Sequence, residues 1–64
     1  MPGLNKGDEV QHPLYGDGVV VDILISLNYP VKVEFEIDST PIFKFFSRKG
    51  VRMGEAQSSL KKVT

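Results

Sequence analysis

The sequence contains no cysteine and no tryptophan, and His12 is its single histidine. Without cysteine the chain forms neither a disulfide nor a thiolate metal site. His12 has no second histidine with which to bind a metal and no cysteine to activate as a nucleophile. Since these absences leave little from which to build an active site, we predict a non-enzymatic protein with no cofactor and no metal site.

Long hydrophobic runs are also absent. No stretch approaches the ~20 apolar residues that cross a bilayer. Residues 1–6 lack the basic start and apolar core of a secretion signal. We therefore expect a soluble, cytoplasmic protein, and the lack of cysteine fits a reducing compartment.

The length of 64 residues predicts one domain over residues 1–64. A chain of this size buries only about 60% of the surface that it exposes when unfolded. One apolar core then seldom supplies more than about 3–5 kcal/mol. Stability must come from close packing of a sheet or from a partner.

Short β-type segments alternate with turn residues along the chain. Strict alternation of apolar and charged residues over 31–36 predicts a half-buried strand, and the β-branched run 19–25 predicts the central strand. The five predicted strands are residues 9–12, 19–25, 31–36, 42–46 and 61–63, with a brief extended segment at 51–53. Closing such a set would remove exposed edges, and the last strand can pair with the first. We predict an all-β, five-stranded SH3-like barrel.

Three local predictions concern the side-chain orientation of one strand, the glycines of the first turn and the last loop. In residues 42–46 we expect Phe43 and Phe45 to point into the core and Lys44 to point outward. Gly16 and Gly18 flank an aspartate, which predicts positive φ angles or a bulge. The polar segment 54–60 is typical of a loop with one 3₁₀ turn.

Charge is divided along the chain although the net charge is zero. Residues 1–38 carry seven acidic and two basic side chains, whereas residues 39–64 carry one acidic and six basic side chains. Opposite charges on one small molecule favour binding to a protein, including a second copy of the chain.

The opening segment resembles a known pattern, which runs Gly7-Asp8-x-Val10-x-His12-Pro13-x-x-Gly16-x-Gly18-x-Val20. It is similar to the start of the Tudor-like domains of superfamily 1A DNA-repair helicases and of the RNA polymerase interaction domain of transcription-repair coupling factors. Residues 29–35 resemble the third strand of small bacterial and phage-encoded proteins with the same barrel. The resemblance implies a Tudor-like barrel that binds RNA polymerase or a repair factor through exposed strands.

The basic segment 44–52 is interleaved with the aromatic residues Phe43, Phe45 and Phe46, and it is the strongest functional signal. We predict that it binds a protein, with Tyr29 as an aromatic anchor. The predicted contact residues are Lys44, Arg48, Lys49, Arg52 and Tyr29.

Three alternatives stay open. The same basic segment suits a nucleic-acid backbone with base stacking. The chain can instead be a structural component of a phage particle. A weaker alternative is an aromatic cage for a methylated side chain, formed by Tyr15, Tyr29 and Phe46.

Overall fold

The computed structural model describes residues 3–54 and 60–63, and these contain five β-strands in one antiparallel sheet. The strands are β1 (Glu9–His12), β2 (Gly16–Ile23), β3 (Val31–Ile37), β4 (Thr40–Phe46) and β5 (Lys61–Lys62). Their order in the sheet is β4-β3-β2-β1-β5. The structure confirms the predicted all-β class with five strands, and the described ranges contain no helix.

The final strand returns to the first, as the sequence predicts. Val10 pairs with Lys62 and Gln11 with Lys61. At the other edge of the sheet, Phe46 forms an isolated antiparallel bridge with Arg52. Two backbone hydrogen bonds join the segment after β4 to the opposite side of the sheet, from Leu4 N to Arg48 O (3.3 Å) and from Leu60 N to Gly50 O (3.4 Å). The two edges approach each other at one end, but the strands of the described residues form no continuous ladder that closes the sheet.

The core lies on one face of the sheet. Alternate residues of β3 are buried, as predicted, and they meet buried residues from every longer strand. The core side chains are Leu4, Val10, Val20, Val31, Val33, Phe35, Phe46 and Leu60. This small set fits the thin core expected of a short chain.

The predicted orientation of β4 is wrong. Phe43 and Phe45 are 48% and 38% exposed, whereas Lys44 is half-buried. The register explains the difference, because Lys44 lies opposite buried Val33 and cross-strand neighbours share one face of a sheet. Phe43 and Phe45 therefore lie on the outer face, and Lys44 lies on the inner face.

Gly16 and Gly18 of the first hairpin have different structural roles. Gly16 has a φ of 82°, as predicted, and starts β2 three residues earlier than expected. Gly18 instead allows close approach, since a Cβ atom there would lie 2.6 Å from the Phe35 ring. The register of β2 shifts between Val20 and Asp22, so the bulge lies beyond both glycines. Of the predicted 3₁₀ loop, residues 55–59 lie outside the described residues.

Candidate functional site

Acidic side chains line the outer face of β1, β2 and β3. They occupy positions that alternate with the buried core residues, and Glu34 lies opposite Val19. The acidic residues at these outer positions are Glu9, Asp17, Asp22, Glu34 and Glu36. Lys32 is the basic residue among them and lies opposite Asp22. The acidic half of the sequence thus becomes an acidic face.

Two predicted contact residues meet at Tyr15. The Lys44 ammonium lies 5.4 Å from the centre of the Tyr15 ring, and the Arg52 guanidinium carbon lies 5.5 Å from it. Arg52 Nη1 also donates a hydrogen bond to the Tyr15 hydroxyl oxygen. Cations at this distance from an aromatic ring are attracted by its quadrupole. We call these three residues the Tyr15 cluster.

Tyr15 is held in place by its neighbours in the fold. Its ring centre lies 4.6 Å from that of His12 and 5.2 Å from that of Phe35. His12 is only 4% exposed, and its Nδ1 accepts a hydrogen bond from Leu14 N (3.0 Å). His12 therefore shapes the turn and supports Tyr15. Sequence reasoning considered Tyr15 only for an aromatic cage, and no local pattern indicated its contacts with Lys44 and Arg52.

Arg48 and Lys49 lie apart from the Tyr15 cluster, in the turn that follows β4. Ser47 Oγ accepts hydrogen bonds from Lys49 N (3.2 Å) and Val51 N (3.1 Å), which orders this turn. Both basic residues are exposed. Among the contacts of the described ranges, none joins either residue to Tyr15. The predicted basic face is therefore divided into two parts.

Tyr29 is half-buried in the loop between β2 and β3. Leu24 N donates a hydrogen bond to Pro30 O (2.7 Å) and closes this loop. Val31 pairs with Ile23 on one side and with Phe46 on the other, so the loop lies at the same end of the sheet as the turn containing Arg48 and Lys49. Tyr29 is thus placed with that turn and not with Lys44.

The aromatic residues of β4 also separate. Phe46 is fully buried, which excludes it from a surface cage. Phe43 and Phe45 lie on the outer face, where the Lys32 ammonium lies 4.7 Å from the centre of the Phe43 ring. Since β4 is an edge strand, these two exposed rings lie beside an open edge. Within residues 3–54 and 60–63, the backbone pairing along this edge of β4 is the bridge from Phe46 to Arg52.

Neither a metal cluster nor a membrane span emerges from the part of the chain that the structure describes. No group of three or more acidic, histidine or cysteine side chains there is arranged to hold a metal. No helix in the same ranges has the length and apolar character needed to cross a bilayer.

Comparison with protein-family models, curated proteins and solved structures finds no match to this chain. The resemblance to Tudor-like domains therefore stays a prediction.

Proposed function

We propose that this chain is a non-enzymatic protein-interaction module on an SH3-like barrel. In this proposal β4 accepts an extended segment of a partner protein as an additional strand. The observation that carries it is the edge strand β4 with two exposed phenylalanines, Phe43 and Phe45. The partner that the sequence resemblance suggests is a component of the transcription or DNA-repair machinery, such as RNA polymerase.

The backbone of β4 suits strand addition. Pro41 lacks an N–H group and lies opposite Glu36, so it is compatible with a position whose backbone faces away from β3. Hydrogen-bonding direction alternates along an antiparallel strand. Phe43 then also directs its N–H and C=O groups to the open edge, whereas Phe45 lies next to the bridge between Phe46 and Arg52. A partner strand would bond to these groups, and its main chain would supply much of the affinity.

The side chains of β4 supply the apolar part of such an interface. Phe43 and Phe45 lie on the same face, two residues apart, where a paired strand would place its own alternate side chains. Buried aromatic rings are frequent sources of binding energy in protein interfaces. Arg48 and Lys49 follow directly after β4 and would flank the end of the added strand, which gives these predicted contact residues a role in orientation.

Two further observations support the barrel part of this proposal, although the described strands do not form a closed sheet. β5 returns to β1, and the backbone hydrogen bonds of Leu4 and Leu60 join the two sides of the sheet at one end. In the families that the opening segment resembles, small barrels bind RNA polymerase through exposed strands. The open edge of β4 is the corresponding feature of this chain.

The nucleic-acid alternative loses part of its support. It required the basic side chains of segment 44–52 beside exposed rings, but Phe43 and Phe45 lie on the outer face with Glu34, Glu36 and Lys32, whereas Lys44 lies on the inner face. Carboxylates beside the rings would repel a phosphate backbone. No specific observation favours a structural role in a phage particle.

The direct test measures binding of immobilised chain to purified core RNA polymerase. The test variant is Phe43→Thr with Phe45→Thr, since threonine keeps a high strand propensity. The control is Val63→Thr, because Val63 is exposed beside β5 at the opposite edge. We expect the double variant to bind about 30-fold more weakly, corresponding to ~2 kcal/mol for the loss of two central rings, and the control to bind like wild type.

Two results would overturn the proposal. One is polymerase binding that the double variant retains at wild-type strength while both proteins show the same far-UV circular dichroism. The other is absence of polymerase binding together with binding of DNA or RNA whose affinity falls linearly with salt on a log-log scale, which is the signature of phosphate contacts.

A further inference from the structure

The outer face of β1 and β2 contains a groove that the proposed function does not use. Its walls combine the carboxylates of Glu9 and Asp17 with the apolar side chains of Val19 and exposed Val63. We propose that this groove, called the β1–β2 groove, binds the basic turn that follows β4 in a second copy of the chain. Its ligand is therefore a pair of cationic side chains presented by another molecule of the same protein.

The β1–β2 groove has room for side chains. Its volume is about 280 Å³, just below the range of about 300–1,000 Å³ that is typical of small-molecule pockets. Glu9 pairs with Val19 and Gln11 pairs with Asp17, so the two acidic residues lie diagonally across the ladder, about 7–8 Å apart at the backbone. Val63 N donates a hydrogen bond to Glu9 O (2.8 Å), which places Val63 beside Glu9. A groove of this size between acids and valines suits one or two long side chains.

Negative charge is in excess at the β1–β2 groove. Glu34 on β3 pairs with the strand that lines the groove and adds a carboxylate to the same face, whereas Lys61 lies opposite Gln11 and adds a cation. The Asp17 carboxylate accepts a hydrogen bond from the Gln11 amide (2.9 Å), which is a neutral donor. The described part of the chain contains no ion pair of Glu9 or Asp17. The groove therefore attracts cations and repels a phosphate backbone.

The complementary charges lie in the turn after β4, residues 47–50, which we call the basic turn. Arg48 and Lys49 are exposed there, and neither forms an ion pair with another described residue. The turn is ordered, because Ser47 Oγ accepts a hydrogen bond from Lys49 N (3.2 Å) and Gly50 N donates one to Ser47 O (2.9 Å). Cations on an ordered turn lose less backbone entropy on binding than cations on a flexible segment.

One molecule does not join its own groove and basic turn. Within the described ranges, no hydrogen bond or ion pair links the turn to Glu9, Asp17 or Val63. The turn is instead attached to the start of the chain by the backbone hydrogen bond from Leu4 N to Arg48 O. A second copy brings both surfaces together in a heterologous contact, in which one patch meets a different patch of its neighbour. The cationic groups would then reach the two carboxylates, and their methylene stems would pack on the valines.

The contact is small, so we expect weak association. A standard interface covers about 800 Å² on each partner, which is a large share of the 4425 Å² surface of this chain. One turn in one groove covers less than that. Charge pairs at an exposed contact are also screened by salt. The experiment therefore uses concentrated protein at low ionic strength.

Sedimentation equilibrium of the full chain measures the association and its decline as salt rises. The turn variant is Arg48→Gln with Lys49→Gln, and the groove variant is Glu9→Gln with Asp17→Asn. Each variant alone should raise the dissociation constant by about fivefold or more, since each loses two exposed charge pairs. An equimolar mixture should form 1:1 dimers at higher affinity than either variant alone. The reason is that the turn variant keeps an intact groove and the groove variant keeps an intact turn.

Two control variants carry the same net charges as the test variants. Lys6→Gln with Lys32→Gln removes two cations outside the basic turn, and Glu36→Gln with Asp38→Asn removes two carboxylates that do not line the groove. Both controls should associate within about twofold of wild type, because a contact between specific patches depends on where the charges lie. Far-UV circular dichroism establishes that every variant is folded.

Three results would overturn the proposal: a wild-type chain that stays monomeric at low salt, a folded turn variant that associates like wild type, or a mixture that associates no better than its components. A blocked lysine peptide tests another occupant. If it shifts the methyl resonances of Val19 and Val63 while the wild type stays monomeric, the groove binds a basic segment of a different protein and docking of a second copy is wrong. Phe43→Thr with Phe45→Thr should associate like wild type. Failure of this contact and failure of the β4 edge are therefore distinguishable.

Discussion

Substitution of Gly18 by alanine tests the packing that supports Tyr15. Gly18 pairs with Phe35, and an added Cβ would lie 2.6 Å and 2.7 Å from two atoms of the Phe35 ring and 2.8 Å from the Glu34 carbonyl oxygen. Phe35 is fully buried, so its ring has no solvent into which to move. The carbonyl oxygen belongs to the backbone of β3, which is paired on both sides. Displacement of either the Phe35 ring or the Glu34 carbonyl oxygen would therefore cost free energy.

The expected cost follows from these contacts. Overpacking a core costs about 1–3 kcal/mol, and two obstructing groups place Gly18→Ala near the upper end of that range. A free energy of unfolding of about 3–5 kcal/mol leaves little reserve for a chain of this size. Since each kcal/mol shifts the Tm of a small domain by about 4–8 °C, we expect Tm to fall by at least about 10 °C.

Thermal unfolding followed by far-UV circular dichroism measures this change. The control is Gly16→Asn, because no atom lies within 4 Å of a Cβ there and asparagine tolerates the φ of 82°. A second test adds Phe35→Leu, which should cost less in the Gly18→Ala background than in wild type because a smaller side chain relieves the ring contacts. A Tm for Gly18→Ala within about 3 °C of wild type, or strictly additive effects, would refute the reasoning.

Three further predictions concern stability. Ser39→Gly should raise Tm by a few degrees. Ser39 has a φ of 63°, and removing this backbone strain gains about 1–2 kcal/mol, which exceeds the entropic cost of glycine of about 0.5–1 kcal/mol. An unchanged or lower Tm contradicts this prediction. His12→Ala should lower the free energy of unfolding by about 2–4 kcal/mol, because the buried imidazole loses its packing against Tyr15. Urea titration measures this change. A side chain with only a surface role would give a change of less than about 0.5 kcal/mol. Asp8→Ala should lower the free energy of unfolding by about 1 kcal/mol, mainly because the Asp8 carboxylate loses the hydrogen bond donated by Asn5 N (2.8 Å). The ion pair between Asp8 and Lys62 (3.5 Å) is partly exposed and contributes little. The loss of stability should therefore persist in high salt.

The sequence predicts the inner strands better than the edge strand. Residues 31–36 alternate strictly between apolar and charged side chains, so only one orientation buries the apolar set. Residues 42–46 have apolar side chains at both alternating positions, and their pattern allows either orientation. The choice depends on the turn at Asp38 and Ser39, both at positive φ, which pairs Ile37 with Thr40. The predicted strands, 31–36 and 42–46, instead left five residues between them.

The Tyr15 cluster lay beyond sequence reasoning for the same reason. Its members come from the first turn, from β4 and from the segment after it, so their meeting depends on long-range register. Lys44, Arg48 and Lys49 are close in sequence and looked like one basic face. Alternation along β4 turns Lys44 inward, whereas Arg48 and Lys49 lie beyond the end of the strand. Proximity in sequence therefore indicated a shared surface that the fold divides.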